Sequence, residues 1–153
     1  MKVLVAFASR FGGKIALNPQ FIVERAHRFY FLSPALQKVA KGGFFYAGLY
    51  LGKVKDGVFF PSFNFLNMLV PVAANQVVLK RKAAWLFICG RDIFREGIVQ
   101  ARGGLCSGDY VLVMNEYGEC LGYGVVTGGL VGLEGKVVVR NVLDVGDFLR
   151  REG

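Results

Sequence analysis

A chain of 153 residues that is 54% apolar can hold one domain or two small ones and is too hydrophobic to be disordered. Its 19 Lys and Arg outnumber 11 Asp and Glu, and the formal charge of +8 points to an anionic partner, nucleic acid ahead of a membrane surface. No apolar run approaches the ~18 residues of a membrane span, and Val3–Ala8, closed by Arg10, is too short for a signal peptide, so a cytoplasmic chain with no membrane partner is expected.

In chain order, Lys2–Ala8 reads as a strand and Arg10–Lys14 as a glycine turn. Strand-like pieces follow at Ile15–Leu17, Phe21–Val23 and Arg28–Leu32. Ser33-Pro34 combines a capping hydroxyl with proline at the first helical position, and predicts a helix to about Lys41, stopped by Gly42-Gly43. Phe44–Val54 is strand-like, and Lys55-Asp56-Gly57 is a hairpin turn leading into Val58–Phe60. Ser62–Val70 predicts a second helix with Phe63, Leu66 and Val70 inward and Pro71 at its end. Gln76–Leu79 leads to the basic run Lys80-Arg81-Lys82.

Composition changes at that run. All four prolines and eleven of fourteen phenylalanines precede it, whereas fourteen of twenty-one glycines follow. Residues 1–82 carry twelve Lys and Arg against Glu24 and Asp56 alone; residues 83–153 carry seven against nine acids. Two small domains are expected, 1–80 and 81–153.

In the second domain Ala83–Cys89 reads as a buried strand, broken at Gly90, with Asp92 as the N-cap of a short amphipathic helix. A strand turning through glycine into a helix start leaves free N–H groups and a positive dipole end, a place for an anion beside Arg91 and Arg95. Ser107-Gly108-Asp109 turns into a strand at Tyr110–Met114, and Asn115–Gly118 is a tight hairpin returning through Cys120–Thr127. After the glycine-rich Gly128–Gly135 comes a last strand, Lys136–Val142, then the turn Asp144–Asp147. Short strands with one early helix indicate a small barrel.

No catalytic constellation is evident. Gly13-Lys14 lacks both the following Ser or Thr and the earlier glycine of a phosphate loop. His27 is the only histidine, and Cys89, Cys106 and Cys120 have no metal-ligand spacing, so no metal and no cofactor are expected and the cysteines read as small core residues. The acid-poor first domain argues against an enzyme. Asp92, Asp109 and Asp147 each suit a turn or cap.

Taken together, WLFICGRDIFREGIV, GDYVLVMNEYGECLGYGVV and VVVRNVLDVGDFLRRE resemble a PUA domain, an RNA-binding pseudo-barrel. Gly90 stands at the family's glycine after the first strand, Leu121-Gly122-x-Gly124 matches its hairpin return, and Asp144-Val145-Gly146 with Phe148–Arg151 matches its closing turn. Tyr50–Lys53, the Phe63–Pro71 helix and Val77–Lys80 extend the resemblance to the small ribosome-biogenesis factors of the Nip-seven type, over residues 29–153. The longer first helix usual in those relatives is not apparent in residues 1–28. The resemblance implies an α+β fold, an N-terminal domain with an antiparallel sheet followed by a PUA pseudo-barrel. It also implies a non-enzymatic, monomeric factor of large-subunit maturation, nucleolar in a eukaryote, that binds single-stranded U- or A/U-rich RNA alongside pre-ribosomal proteins. Lys136 and Arg140 carry over as RNA contacts; Arg91, Arg95 and the N–H groups after Gly90 are added from the dipole argument, and Arg150 and Arg151 from their charge. A basic stretch of the first domain, Arg10, Lys14, Lys53 and Lys55, is a candidate rRNA contact. The competing readings are a subunit of an RNA-modification enzyme, and an interaction scaffold using Phe44, Phe45, Tyr46, Phe59, Phe60, Phe63 and Phe65.

Overall fold

The computed structural model describes residues 1–39, 48–128, 136–147 and 150. In chain order the elements are α1 (Lys2–Ser9), β1 (Ile22–Arg25), β2 (Arg28–Phe31), α2 (Pro34–Val39), β3 (Leu49–Lys55), β4 (Val58–Pro61), α3 (Phe63–Leu69) and β5 (Gln76–Leu79). They continue with α4 (Arg81–Ile88), β6 (Ile93–Phe94), β7 (Ile98–Arg102), β8 (Tyr110–Met114), β9 (Cys120–Val126) and β10 (Val137–Asp144). Strands β1 to β4 form a four-stranded antiparallel sheet in sequence order. The other six form a curled half-barrel ordered β6-β10-β9-β8-β5-β7, with β5 parallel to β8 and the remaining pairs antiparallel. This is the α+β arrangement expected, with an antiparallel N-terminal sheet and a pseudo-barrel.

The N-terminal segment departs from expectation. Lys2–Ala8 is a helix, not a strand. Leu4, Phe7, Ala8 and Phe11 recur at helical spacing and are all buried, while Val5 between them is exposed. The run is apolar enough for either period, and the surfaces around it select the helix. Phe7 meets Phe11, Phe59, Phe65, Tyr110 and Tyr123 with ring centroids 5.2 to 6.1 Å apart, four of the five contacts edge-on. Residues 1–28 thus do hold a helix, of eight residues. Ile15–Leu17 forms no strand; it rests on this core and leads to a 3₁₀ turn at Pro19–Phe21, capped by Asn18 Oδ1 accepting from Gln20 N–H at 3.0 Å.

Two hairpins shape the first sheet. Asp56 (φ 52°) and Gly57 (φ 75°) join β3 to β4, as the sequence signals. Ala26 (φ 50°) and His27 (φ 63°) join β1 to β2 in the same left-handed conformation without a glycine or asparagine to announce it. Ser62 caps α3, its Oγ accepting from Phe65 N–H at 3.2 Å. The buried face of α3 is Phe65, Leu66 and Leu69, one step round from the Phe63–Leu66–Val70 stripe expected, because the helix is wedged between β3 and β9.

Strand β8 is buried on both faces. Val111 and Val113 enter the half-barrel interior with Val77, Leu79, Phe87, Val126, Val138 and Val139, whereas Leu112 and Met114 join Phe7 and the first sheet. The two sheets thus share a core, to which β9 also contributes Tyr123. Strand β5, which precedes the boundary expected after residue 80, pairs with both β7 and β8 inside the half-barrel. Gly122 and Gly124 of the hairpin return let β10 close onto β9: an added Cβ would lie 1.9 Å from the Leu143 carbonyl oxygen at the first and 2.5 Å from that of Arg140 at the second. The cysteines are not the core residues expected. Cys89 ends a helix and Cys106 lies in a loop, both exposed; only Cys120 is partly buried, which pushes its thiol up to about 11.

Candidate nucleic-acid interface

The stretch Ala83–Cys89 is the chief correction. It forms α4, not a buried strand, and Asp92 opens no helix. Ala83 and Phe87, and Ala84 and Ile88, stand four residues apart and face the half-barrel, while Trp85 and Leu86 point outward, Trp85 with 64% of its surface exposed. Two alanines favour the helix intrinsically. Gly90 (φ 92°) is its terminator: Arg91 N–H donates to Leu86 O at 3.0 Å and Gly90 N–H to Phe87 O at 2.9 Å, the paired bonds of a Schellman ending. Chain polarity at Gly90 is therefore the reverse of the one inferred. Carbonyl groups and the negative dipole end face outward, so the N–H groups after Gly90 offer no phosphate cradle.

A cation occupies that end already. Arg150 Nη1 donates to Ile88 O at 2.7 Å and its Nη2 pairs with Asp144 Oδ2 at 2.8 Å, the hydrogen bond to Asp144 raising its pKa. Its guanidinium lies over Gly90, where an added Cβ would be 3.3 Å away. Asn141 completes the knot: its Nδ2 donates to Phe87 O at 2.9 Å and to Asp144 Oδ2 at 3.1 Å, and its N–H donates to Asp92 Oδ1 at 2.9 Å. Asp144 is only 2% exposed, and its Oδ1 has no hydrogen-bond partner among the described residues. Arg150 is thus a fastener between α4 and β10, a role its charge alone did not suggest. Arg151 lies outside the described residues.

The other cations named from sequence do come together. β6 runs antiparallel to β10 with Phe94 opposite Val137 and Ile93 opposite Val139, and Arg95 N–H donates to Lys136 O at 3.1 Å. Asn141 Nδ2 reaches Arg91 O at 3.3 Å, so Arg91, Arg95, Lys136 and Arg140 all lie along this two-strand edge. Lys136, Arg140 and Arg91 are exposed. Between the edge and α4 opens an apolar cleft of about 210 Å³, lined by Leu86, Ile93 and Phe94 together with Lys80, Lys82, Asp92 and Glu96. Half of the Phe94 surface is open. On α4, Arg81 stands one turn before Trp85 and Lys82 one turn before Leu86.

Lys80, Lys82, Trp85 and Phe94 join this candidate surface, and the sequence did not single them out. The available signal was the chain's only tryptophan four residues after a basic triplet, hidden by the assignment of Ala83–Cys89 to a strand. In the first domain, Arg10 is no free cation: its guanidinium lies 3.6 Å from the Tyr110 ring centroid and hydrogen-bonds the Tyr110 hydroxyl. Lys14, Lys53 and Lys55 are exposed. Of the aromatic set, Phe59 and Phe65 are buried and Phe60 is exposed, while Phe44–Tyr46 lies outside the described residues.

Residues 75–153 match the UPF0113 PUA domain model. The chain belongs to that family. A UPF0113 protein of Aeropyrum pernix is 32% identical over 110 residues, which cover 70% of this chain and 58% of the relative; the chain thus spans little more than half of that protein's length. Among solved structures, a conserved PUA domain protein from Thermoplasma acidophilum superposes with a TM-score of 0.65 at 20% identity over 99% of this chain and 92% of its own. A PUA domain from Aeropyrum pernix, solved as a tartrate complex, gives a TM-score of 0.54 at 24% identity over 61% and 56%. The half-barrel with α4 is accordingly the PUA domain, and the match begins just before β5, the strand that its sheet requires.

Proposed function

We propose that this chain is a non-catalytic RNA-binding factor that holds single-stranded U- or A/U-rich RNA across α4 and the β6–β10 edge. The observation that carries the reading is the alternation of exposed rings and cations on that surface: Trp85 beside Arg81, and Phe94 beside Arg95 and across from the Lys136–Val137 end of β10. Unpaired bases stack on exposed aromatic side chains while phosphates take the basic groups, a pairing suited to single strands. Of the carboxylates near it, Asp92 and Asp144 are engaged in the knot with Asn141 and Arg150. That usage supports a binding role over catalysis of RNA modification.

Within that reading, the resemblance of Tyr50–Lys53, the α3 segment and Val77–Lys80 to factors of the Nip-seven type supports a place in large-subunit maturation, as a cytoplasmic monomer among pre-ribosomal proteins. Fluorescence anisotropy with a labelled U-rich oligonucleotide tests the binding. With about three phosphates neutralised, log affinity falls against log salt with a slope of about −2. Lys136→Ala/Arg140→Ala weakens binding, and Trp85→Ala weakens it by about 1–3 kcal/mol if a base stacks there. Binding indifferent to salt and to these changes removes the reading. Crosslinking in the native host tests the assembly role; no enrichment of large-subunit rRNA precursors removes that part alone.

A further inference from the structure

The outer face of the N-terminal sheet carries a feature that the PUA surface does not use. Residues directly opposite on antiparallel strands share a face, and here Arg25 pairs with Arg28, Arg28 with Lys53 and Lys53 with Phe60. Three cations and one ring therefore form a single row across all four strands. The opposite face of the same sheet is the core, holding Phe29, Leu51 and Phe59. Glu24 is opposite Phe29, one residue off the row and hence on the other face. Among the described residues neither Arg28 nor Lys53 has an ion-pair partner.

Adjacent like charges across strands are destabilising, so a row of this kind weakens the sheet unless an anion lies along it. The next row adds the other half of the chemistry. Tyr30 faces Tyr50, with ring centroids 5.6 Å apart, and these two rings with Arg28 and Lys53 line an open depression of about 290 Å³. Tyr50 is half-buried, and desolvation raises its pKa against the opposing effect of Arg28, so its hydroxyl remains a neutral donor. Phe60, nearly half exposed, closes the row at β4.

We propose that this face is a second RNA-contact surface, with phosphates of a single strand along Arg25, Arg28 and Lys53 and one base against Tyr50 in the depression. It rests on the reading of the chain as an RNA-binding protein and extends it to a second strand segment. Because the two sheets share a core, the two surfaces are fixed relative to each other, and one RNA long enough to reach both gains affinity from the second contact. An acidic protein segment would satisfy the cations but leave the ring-lined depression without a planar partner.

The test uses the full chain and labelled oligouridylates of about eight and about thirty nucleotides. For the longer RNA, Arg28→Ala/Lys53→Ala lowers affinity by about tenfold and makes the salt slope shallower by about 1.4, from ~0.7 for each lost contact on a single strand. Arg28→Lys/Lys53→Arg restores both, which separates charge from folding, and ultraviolet crosslinking attaches uridine to the peptide carrying Tyr50. If the Ala variant binds the long RNA as the wild type does while Lys136→Ala/Arg140→Ala is impaired, the second surface is overturned and the PUA reading stands. If the wild type binds neither RNA, the PUA reading falls and this one with it. If polyglutamate displaces the long RNA from the Lys136→Ala/Arg140→Ala variant as well as unlabelled oligouridylate does, the face takes an acidic protein and the RNA assignment is overturned.

Discussion

The N-terminal sheet and the PUA domain solve the same electrostatic problem in opposite ways. The first has almost no acids and spreads its cations over the outer face of a sheet whose inner face holds Phe29, Leu51 and Phe59. The second, residues 75–153, nearly balances its ten Lys and Arg with nine Asp and Glu, yet Asp144 is drawn inside and Asp92 is tied to the β10 backbone, and the cations remain exposed along one edge. Net charge over a segment therefore misleads about which part can meet a polyanion. What matters is where the acids are consumed: an acid held in a buried knot no longer offsets the field of an exposed lysine nearby, while in the row Arg25, Arg28, Lys53 and Phe60 each cation's cross-strand neighbours are cations or a ring.

The sharpest way to break the distinction between the two units is through the core they share. Phe7→Ala, which removes the ring meeting both the first sheet and β8–β9, is expected to cost about 3–5 kcal/mol and to lower one common unfolding transition. Circular dichroism and tryptophan fluorescence would follow it, since Trp85 reports only on the PUA domain; separate transitions would mean that the units fold independently. Next in size, Asn141→Ala removes the donor to Phe87 O and Asp144 and is expected to cost about 1–3 kcal/mol by urea denaturation, with the loss confined to the PUA side. A loss below about 0.5 kcal/mol would show that the knot does not hold α4 to β10.

Cys120 reports on the shared core through pH. Its thiol is held up to about 11 against an ordinary value of 9.0, burial being the cause. The folded state thus keeps a proton that the unfolded chain gives up, and stability falls as pH rises from about 9 towards 11. The fall should be smaller in Cys120→Ala, measured as urea midpoint against pH; equal slopes would remove the effect. Maleimide labelling at mildly alkaline pH should modify Cys89 and Cys106 well before Cys120. The smallest expected effect lies in the first sheet. Ala26→Gly relieves a left-handed alanine in the β1–β2 turn and should stabilise by about 0.5–1 kcal/mol, visible as a raised Tm.

Legibility in the sequence followed the range of the interaction responsible. Asp56-Gly57, the helix start at Ser62 and the Asn115–Gly118 hairpin are decided within four or five residues, and each stands where it was read; in the last, Asn115 Oδ1 accepts from Tyr117 and Glu119 N–H at 3.0 and 2.9 Å. Gly122 and Gly124 mark the close approach of β10, which only a residue without a side chain permits. The hairpin Ala26-His27 left no such mark, because the partner strand, not the turn residues, imposes its geometry. Within the candidate interface, Lys136 and Arg140 were legible as exposed cations of the last strand, whereas the use of Arg150 depended on a carboxylate six residues away and a helix carbonyl from Ile88.

By itself, then, the sequence determined strands β2 to β4 and β8 to β10, the turns at Asp56-Gly57 and Asn115–Gly118 and the surplus of charge, since these follow from local conformational preference and the spacing of polar residues; it marked neither β6 and β7, which lie where a helix was expected, nor the Ala26-His27 turn. Only the tertiary structure decided that the two most apolar runs, Lys2–Ala8 and Ala83–Cys89, are helices. Both are hydrophobic on nearly every position and so satisfy the helical and the strand period at once; which side is buried depends on surfaces supplied by β8, β9 and β10, far along the chain. For Ala83–Cys89 that choice also reverses the polarity at Gly90, turning an apparent anion cradle into a carbonyl end that Arg150 caps, and moving the exposed rings and cations to Trp85, Phe94, Lys80 and Lys82.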